Sequence, residues 1–141
     1  IQLASHIGKV SESLVEESSK KHVLRSRLCM ELVTWLKMTT EPFHSVLPLY
    51  PELYNSAMLV GDVENAMKCR GIYCGMSFWV GVSDLLSVSK RLVMCIKEAA
   101  KYQQNTVLYN TMSILNACSY LSGRTNVEVY VKSFDELDEI G

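Results

Sequence analysis

The chain has 141 residues, 48% hydrophobic and 21% charged, with a net charge of −1. That length supports one domain with a real core. So neutral a balance removes the electrostatic case for nucleic acid or an anionic membrane surface as a partner. No basic region precedes an apolar run after Ile1, so no signal peptide is expected, and the chain reads as a piece of a longer protein. The five cysteines (Cys29, Cys69, Cys74, Cys95, Cys118) are scattered without a Cys-x-x-Cys. This fits reduced, mostly buried thiols in a cytoplasmic protein rather than a disulfide framework.

The dominant period is helical. Leu3, Ile7, Val10 and Leu14 share one face of a first helix, opposite Glu12, Glu16 and Glu17. Ser18 to Lys21 is a polar break. A second helix carries Leu24, Leu28, Leu32, Trp35 and Leu36 on one stripe, with Arg25, Arg27, Glu31 and Lys37 largely outside it. "TTEPFHSVLP" reads as a loop, because Pro42 and Pro48 bias the residues before them away from helix; the Pro48 end alternatively opens the next helix. The third helix holds Tyr50, Leu53, Tyr54, Ala57 and Val60 and stops at Gly61. Gly61 suits the left-handed residue after a helix and Asp62 the N-cap of the next. Glu64 favours the positive end of that helix.

The fourth helix spans Val63 to about Trp79, and its run from Gly71 onward is apolar all round, as expected for a helix with neighbours on both sides. Gly81 to Asp84 is a second turn, with Ser83 or Asp84 as cap. The fifth helix turns Leu85, Val88, Leu92, Ile96 and Ala99 inward and Lys90, Arg91, Lys97, Glu98 and Lys101 outward. The sixth follows Gln103-Gln104-Asn105, carries Leu108, Met112, Leu115 and Cys118, and ends near Gly123. In the tail, Val127, Val129 and Val131 alternate with polar residues as in a short strand or extended segment, and Asp135 to Glu139 could begin another helix.

None of the chemical readings of this sequence gathers a site. Cys69 and Cys74 point about 140° apart on a helix and have no second pair to complete a zinc set. The three histidines, His6, His22 and His44, stand alone. The glycines of "GIYCGMSFWVG" lack the Lys-Ser/Thr of a phosphate loop. The apolar run Gly71 to Val82 is 12 residues, short of the roughly 20 a membrane span needs. No serine or cysteine is singled out by a base at a fixed spacing. Trp35, Trp79 and the tyrosines are expected to pack in the core or between helices, with a ligand or peptide groove as the lesser reading. Lys20, Lys21, Arg25 and Arg27 read as a solvated face. Gly71 and Gly75, at i and i+4, share a face and would let another helix come close.

The pattern Gly61-Asp62-x-Glu64-x-Ala66, then Tyr73-Cys74, Phe78 and Gly81, resembles the helical-repeat region of large multidomain signalling ATPases. Phe134-Asp135-Glu136 resembles the motif that follows the last helix there. The likeness covers most of the chain and is sharpest from Leu47 to Leu137. Arg70, Gly71 and Gly75 depart from it where the family has more aromatics. The resemblance implies a tetratricopeptide-like stretch after a predicted AAA/STAND-type ATPase module. An output module would follow, such as GAF plus histidine kinase or a nucleotide cyclase, and a serine/threonine kinase domain often precedes the ATPase. The family's ATP-binding and kinase motifs lie in other domains, so no catalytic, cofactor or metal residue carries over.

The expectation is an all-α chain: an antiparallel helix-pair (tetratricopeptide-like) array of about six helices with a short extended C-terminal tail, a compact bundle being the competing architecture. The helical-repeat domain would cover 1–122, and 123–141 a linker and the start of a further element. The expected role is a non-catalytic scaffold or relay in the cytoplasm, binding the neighbouring ATPase and output domains of the same chain or a peptide or protein, with no nucleic acid, membrane or cofactor. The alternatives are a free-standing helical enzyme or small-ligand-binding bundle, and a homo-oligomerising helical module.

Overall fold

The computed structural model describes residues 13, 23–81 and 83–123, and every regular element among them is helical. The first expected helix and the tail, including Val127, Val129, Val131, Phe134, Asp135 and Glu136, lie outside the described residues. In chain order come α1 (Val23–Glu31), a π-helical stretch (Leu32–Lys37), the short α2 (Met38–Thr40) and α3 (Phe43–Val46), then α4 (Leu49–Leu59), α5 (Val63–Val80), α6 (Leu85–Lys101) and α7 (Asn105–Leu121).

The last four helices follow the sequence closely because their ends are written in local chemistry. After α4 the chain turns at Gly61, whose φ of +75° carries the left-handed step, with its N–H on the Met58 carbonyl at 3.1 Å. No atom lies within 4 Å of where a Cβ would stand at Gly61. The glycine therefore serves the backbone angle rather than space. Asp62 then caps α5 by accepting from the Asn65 N–H. Gly81 ends α5 at φ +67°. Asp84 caps α6, its carboxylate accepting from the Ser87 N–H at 2.9 Å and the Ser87 hydroxyl at 2.7 Å. Between α6 and α7 no glycine is present, and Gln103 takes the left-handed angle itself at φ +55°.

Helix α5 is the centre: α1, α4, α6 and α7 all pack against it. One core cluster joins Met67 and Cys74 of α5 to Val88, Leu92, Cys95, Ile96 and Ala99 of α6 and Val107, Leu115 and Cys118 of α7. A second joins Cys69 of α5 to Met30, Val33, Val46, Leu47 and Tyr50. The two α5 cysteines thus serve opposite cores. The buried hydroxyls of Ser77 and Thr111 bond the carbonyls of Tyr73 and Val107, four residues back, so neither is left unsatisfied. Helices α6 and α7 run antiparallel, with Cys95 Sγ 3.8 Å from Thr111 Oγ1.

Four expectations need correcting. The segment read as a loop contains α3: Pro42, extended at ψ 141°, caps it, and Val46 and Leu47 drop into the core. The stripe Leu28–Trp35 is not the buried face of the second helix. Leu28 and Trp35 are 53% and 68% exposed, and Ser26, Met30 and Val33 are buried instead. Positions 26, 30 and 33 keep ordinary helical spacing, so the buried face is already offset from the leucine stripe within α1, before the π turn at Leu32. Trp79 is also out of the core, at 72% exposure. Glu98, assigned to the solvent face of α6, is only 19% exposed because it is drawn inward by Arg70.

The hydrogen bonds from Ser87, first its hydroxyl and then its N–H, hold the Asp84 carboxyl below the usual aspartate range. A depressed folded-state value means the cap contributes above the unfolded-state pKa of about 3.9 and is lost as pH falls through the folded-state value. Thermal unfolding followed between about pH 5 and pH 2 should therefore show a loss of stability with acid that is shallower in Asp84→Asn. Parallel pH profiles for the two proteins would remove the cap from the account.

Candidate functional site

The residues that carry the sequence motif are mostly structural. Gly61 and Gly81 are turn residues, Glu64 pairs with Lys68 at 2.5 Å on the surface of α5, and Ala66 is fully buried. Lys68, through that bond, lowers the Glu64 pKa. Phe78 is partly buried and meets the Trp79 ring edge-on at 5.0 Å between centroids. The motif's most connected member is Asp62. Its buried carboxylate accepts from Asn65 Nδ2 at 2.7 Å and from Arg27 Nε at 3.2 Å. It therefore caps α5 and ties α1 to the α4–α5 turn at once. Arg27, read as part of a solvated face, is the far end of this tie, and its side chain stays 55% exposed. Lys20, Lys21, His6 and His22 lie outside the described residues, and His44 is exposed.

The motif does not form one site. It lies along α5, and α5 separates two concave surfaces. The first is a groove of about 670 Å³ whose walls are the α1–π run and α7 and whose floor is α5. The floor is low because Gly71 and Gly75 face α7. A Cβ on Gly71 would stand 2.9 Å from Val107 Cγ1, and one on Gly75 3.1 Å from Ile114 Cδ1. The pair thus sets the close helix approach expected from its i, i+4 spacing. Met30, Trp35, Ile72, Met76, Trp79 and Ile114 line the groove, with Glu31 and Lys68 beside them. The Trp35 indole is steadied by donating from Nε1 to Glu31 Oε2 at 2.6 Å.

The second surface is a cleft of about 330 Å³ between α4, α5 and α6, reached by Tyr54, Arg70, Tyr73, Cys74, Lys90, Arg91 and Met94. The Glu98 carboxylate accepts from the Tyr54 hydroxyl through Oε1, and its Oε2 meets Arg70 as an ion pair. The Arg70 guanidinium lies over the Tyr54 ring, 5.3 Å from its centroid. Burial, then the bond to Glu98, pushes the Tyr54 pKa up, so it is a neutral donor at ordinary pH. Sequence reading missed this cluster, since Arg70 and Glu98 are far apart in the chain and their charges alone place both in solvent.

Burial raises the Cys69 and Cys118 thiols, whereas in the Cys74–Cys95 pair the shared hydrogen bond raises Cys74 and lowers Cys95. Burial pushes Cys69 up to about 12. The Cys74 thiol is raised by its contact with the Cys95 sulfur and then by burial, which suppresses the thiolate a nucleophile needs. Among the described residues, no three His, Cys, Asp or Glu are placed to hold a metal ion, and no helix is long and apolar enough to cross a membrane. No protein-family profile, curated protein or solved structure matches the chain.

Asp62→Ala removes the α5 cap and leaves the Asn65 amide without its acceptor in a buried turn. Unfolding in urea should show a loss of about 2 kcal/mol, with Asp62→Asn retaining part of the cap but not the Arg27 tie. A loss under about 0.5 kcal/mol, the size of an ordinary surface change, would mean that the turn is held by backbone alone.

Proposed function

We propose that this chain is a non-catalytic helical scaffold that docks a neighbouring domain, acting as a spacer or relay between modules of a cytoplasmic signalling ATPase or kinase. The antiparallel helix-pair arrangement and the parent architecture rest on the resemblance carried by Gly61, Asp62, Glu64, Ala66, Tyr73, Cys74, Phe78 and Gly81. The docking role is supported chiefly by one observation: Trp35 and Trp79 are both more than two-thirds exposed on a groove whose apolar lining also includes Met30, Ile72, Met76 and Ile114, with Thr34, Thr106, Asn110 and Ser113 among its polar residues.

Two exposed indoles on an apolar groove are costly to leave in water and are the residue type that most often dominates an interface. Met30 and Met76 add side chains that repack around a guest. The groove runs between two helical walls, which suits the apolar face of an amphipathic helix laid along it. The occupant is then a helix of the adjoining ATPase or output module. Its apolar face would cover both indoles, with Glu31 and Lys68 meeting polar residues at the rim.

The longer protein carrying this segment tests the reading. Acrylamide should quench Trp35 and Trp79 readily in the 141-residue chain and poorly in the longer protein. Trp35→Ala with Trp79→Ala should weaken association of the segment with its neighbouring module by at least about tenfold, leaving the melting temperature of the segment nearly unchanged. Equal quenching in both contexts, together with unaltered association, would overturn it.

A further inference from the structure

The cleft on the other flank of α5 is independent of the groove and has its own charge logic. Three cations, Arg70, Lys90 and Arg91, reach it, while Glu98 is the carboxylate paired there. Glu98 is already committed to Arg70 and to the Tyr54 hydroxyl. Among the described residues neither Lys90 nor Arg91 is paired with a carboxylate. The Arg91 guanidinium lies 5.9 Å from the centre of the Tyr73 ring, so it is held over an aromatic face at the mouth of the cleft rather than spread along the surface. Excess positive charge therefore meets walls of tyrosine and methionine. A purely solvated basic face would have no such walls, and a purely apolar pocket would not gather three cations.

We propose that this cleft binds a small organic anion. A flat apolar body would lie between Tyr54, Tyr73 and Met94, and an anionic head, carboxylate or phosphate, would rest on Arg91 and Lys90. Arg70 takes no part in holding the head, since Glu98 engages it. Its role is positional: it fixes the Tyr54 ring as one wall. The cleft volume, about 330 Å³, lies at the small end of ligand sites, which fits a one- or two-ring body rather than a nucleotide. Desolvated on its aromatic side, Arg91 offers a stronger charge-assisted bond to the head than a free surface arginine does.

Naphthalene-1-acetate, 1-naphthyl phosphate and the uncharged naphthalene-1-acetamide, titrated into the ¹⁵N-labelled 141-residue chain, separate the parts of this claim. At least one of the two anions should shift amides around Tyr54, Tyr73, Arg91 and Met94, and the stronger of them identifies the preferred head. The amide should bind at least about tenfold more weakly. Arg91→Gln should weaken the anion about tenfold or more and leave the amide unchanged. Lys90→Gln, at an exposed side chain on the rim of the cleft, gives the same readout in a smaller degree. Equal binding of the acetate and the acetamide, shifts scattered over the surface, or anion affinity untouched by both variants would each overturn the proposal. So would inorganic phosphate competing as well alone as 1-naphthyl phosphate does, since the aromatic walls would then contribute nothing.

Discussion

The structure depends on how closely α7 can approach α5. Side chains at a helix contact set how near two helices come, and α5 presents Gly71 and Gly75 on the face that meets α7, where Cβ atoms would stand 2.9 and 3.1 Å from Val107 and Ile114. Val107 and Ile114 of α7 occupy the space that Cβ atoms would take. Because α7 is brought in close, Val107, Leu115 and Cys118 reach the cluster built by Met67, Cys74 and α6. The same shallow face becomes the floor of the groove between the α1–π run and α7. One sequence choice therefore serves the core and the concave surface together. A glycine inside a helix costs up to about 1 kcal/mol against alanine, and the packing that it admits offsets that cost.

Helix α5 also explains why the molecule has two unlike surfaces. Its apolar residues point all round, so α1, α4, α6 and α7 all find a partner on it. The helices cannot close evenly about a single rod. A gap remains on the glycine side, walled by Trp and Met, and another on the side of Arg70, Tyr73 and Cys74, walled by tyrosine and faced with positive charge. The apolar surface suits a protein helix, whereas the charged one suits a small anion. Asp62 holds the frame in which both are measured, since it fixes the start of α5 and, through Arg27, the position of α1.

What could be read from the sequence was local. Gly61-Asp62 and Gly81 to Asp84 announce a helix end and a helix start through backbone angle and capping, and neither needs a distant partner. The Gly71/Gly75 face and the division of Cys69 and Cys74 between two cores follow from helical spacing alone. What failed was non-local or depended on phase. Trp35 and Trp79 carry an aromatic identity that says nothing of which side of the helix faces a neighbour, and the inward face of α1 runs through Ser26 and Met30 rather than through the leucine stripe. Glu98 looks like one more solvated charge on α6 until Arg70 and Tyr54 are brought beside it. The groove was visible only as a lesser reading, and the basic cleft not at all, since it needs three helices to exist.

The central claim, that the α5 glycines exist to admit α7, is open to a double-mutant cycle between Gly71→Ala and Val107→Ala. Val107 is β-branched and stiff in a helix, so it cannot easily yield to a new Cβ at 2.9 Å. Gly71→Ala should destabilise the chain by roughly 1–3 kcal/mol despite its gain in helix propensity. In the Val107→Ala background most of that loss should vanish, giving a coupling of about 1 kcal/mol or more. If Gly71→Ala instead stabilises the protein by about the propensity difference, with no coupling to Val107, the helices are not held apart by that contact and the account is wrong.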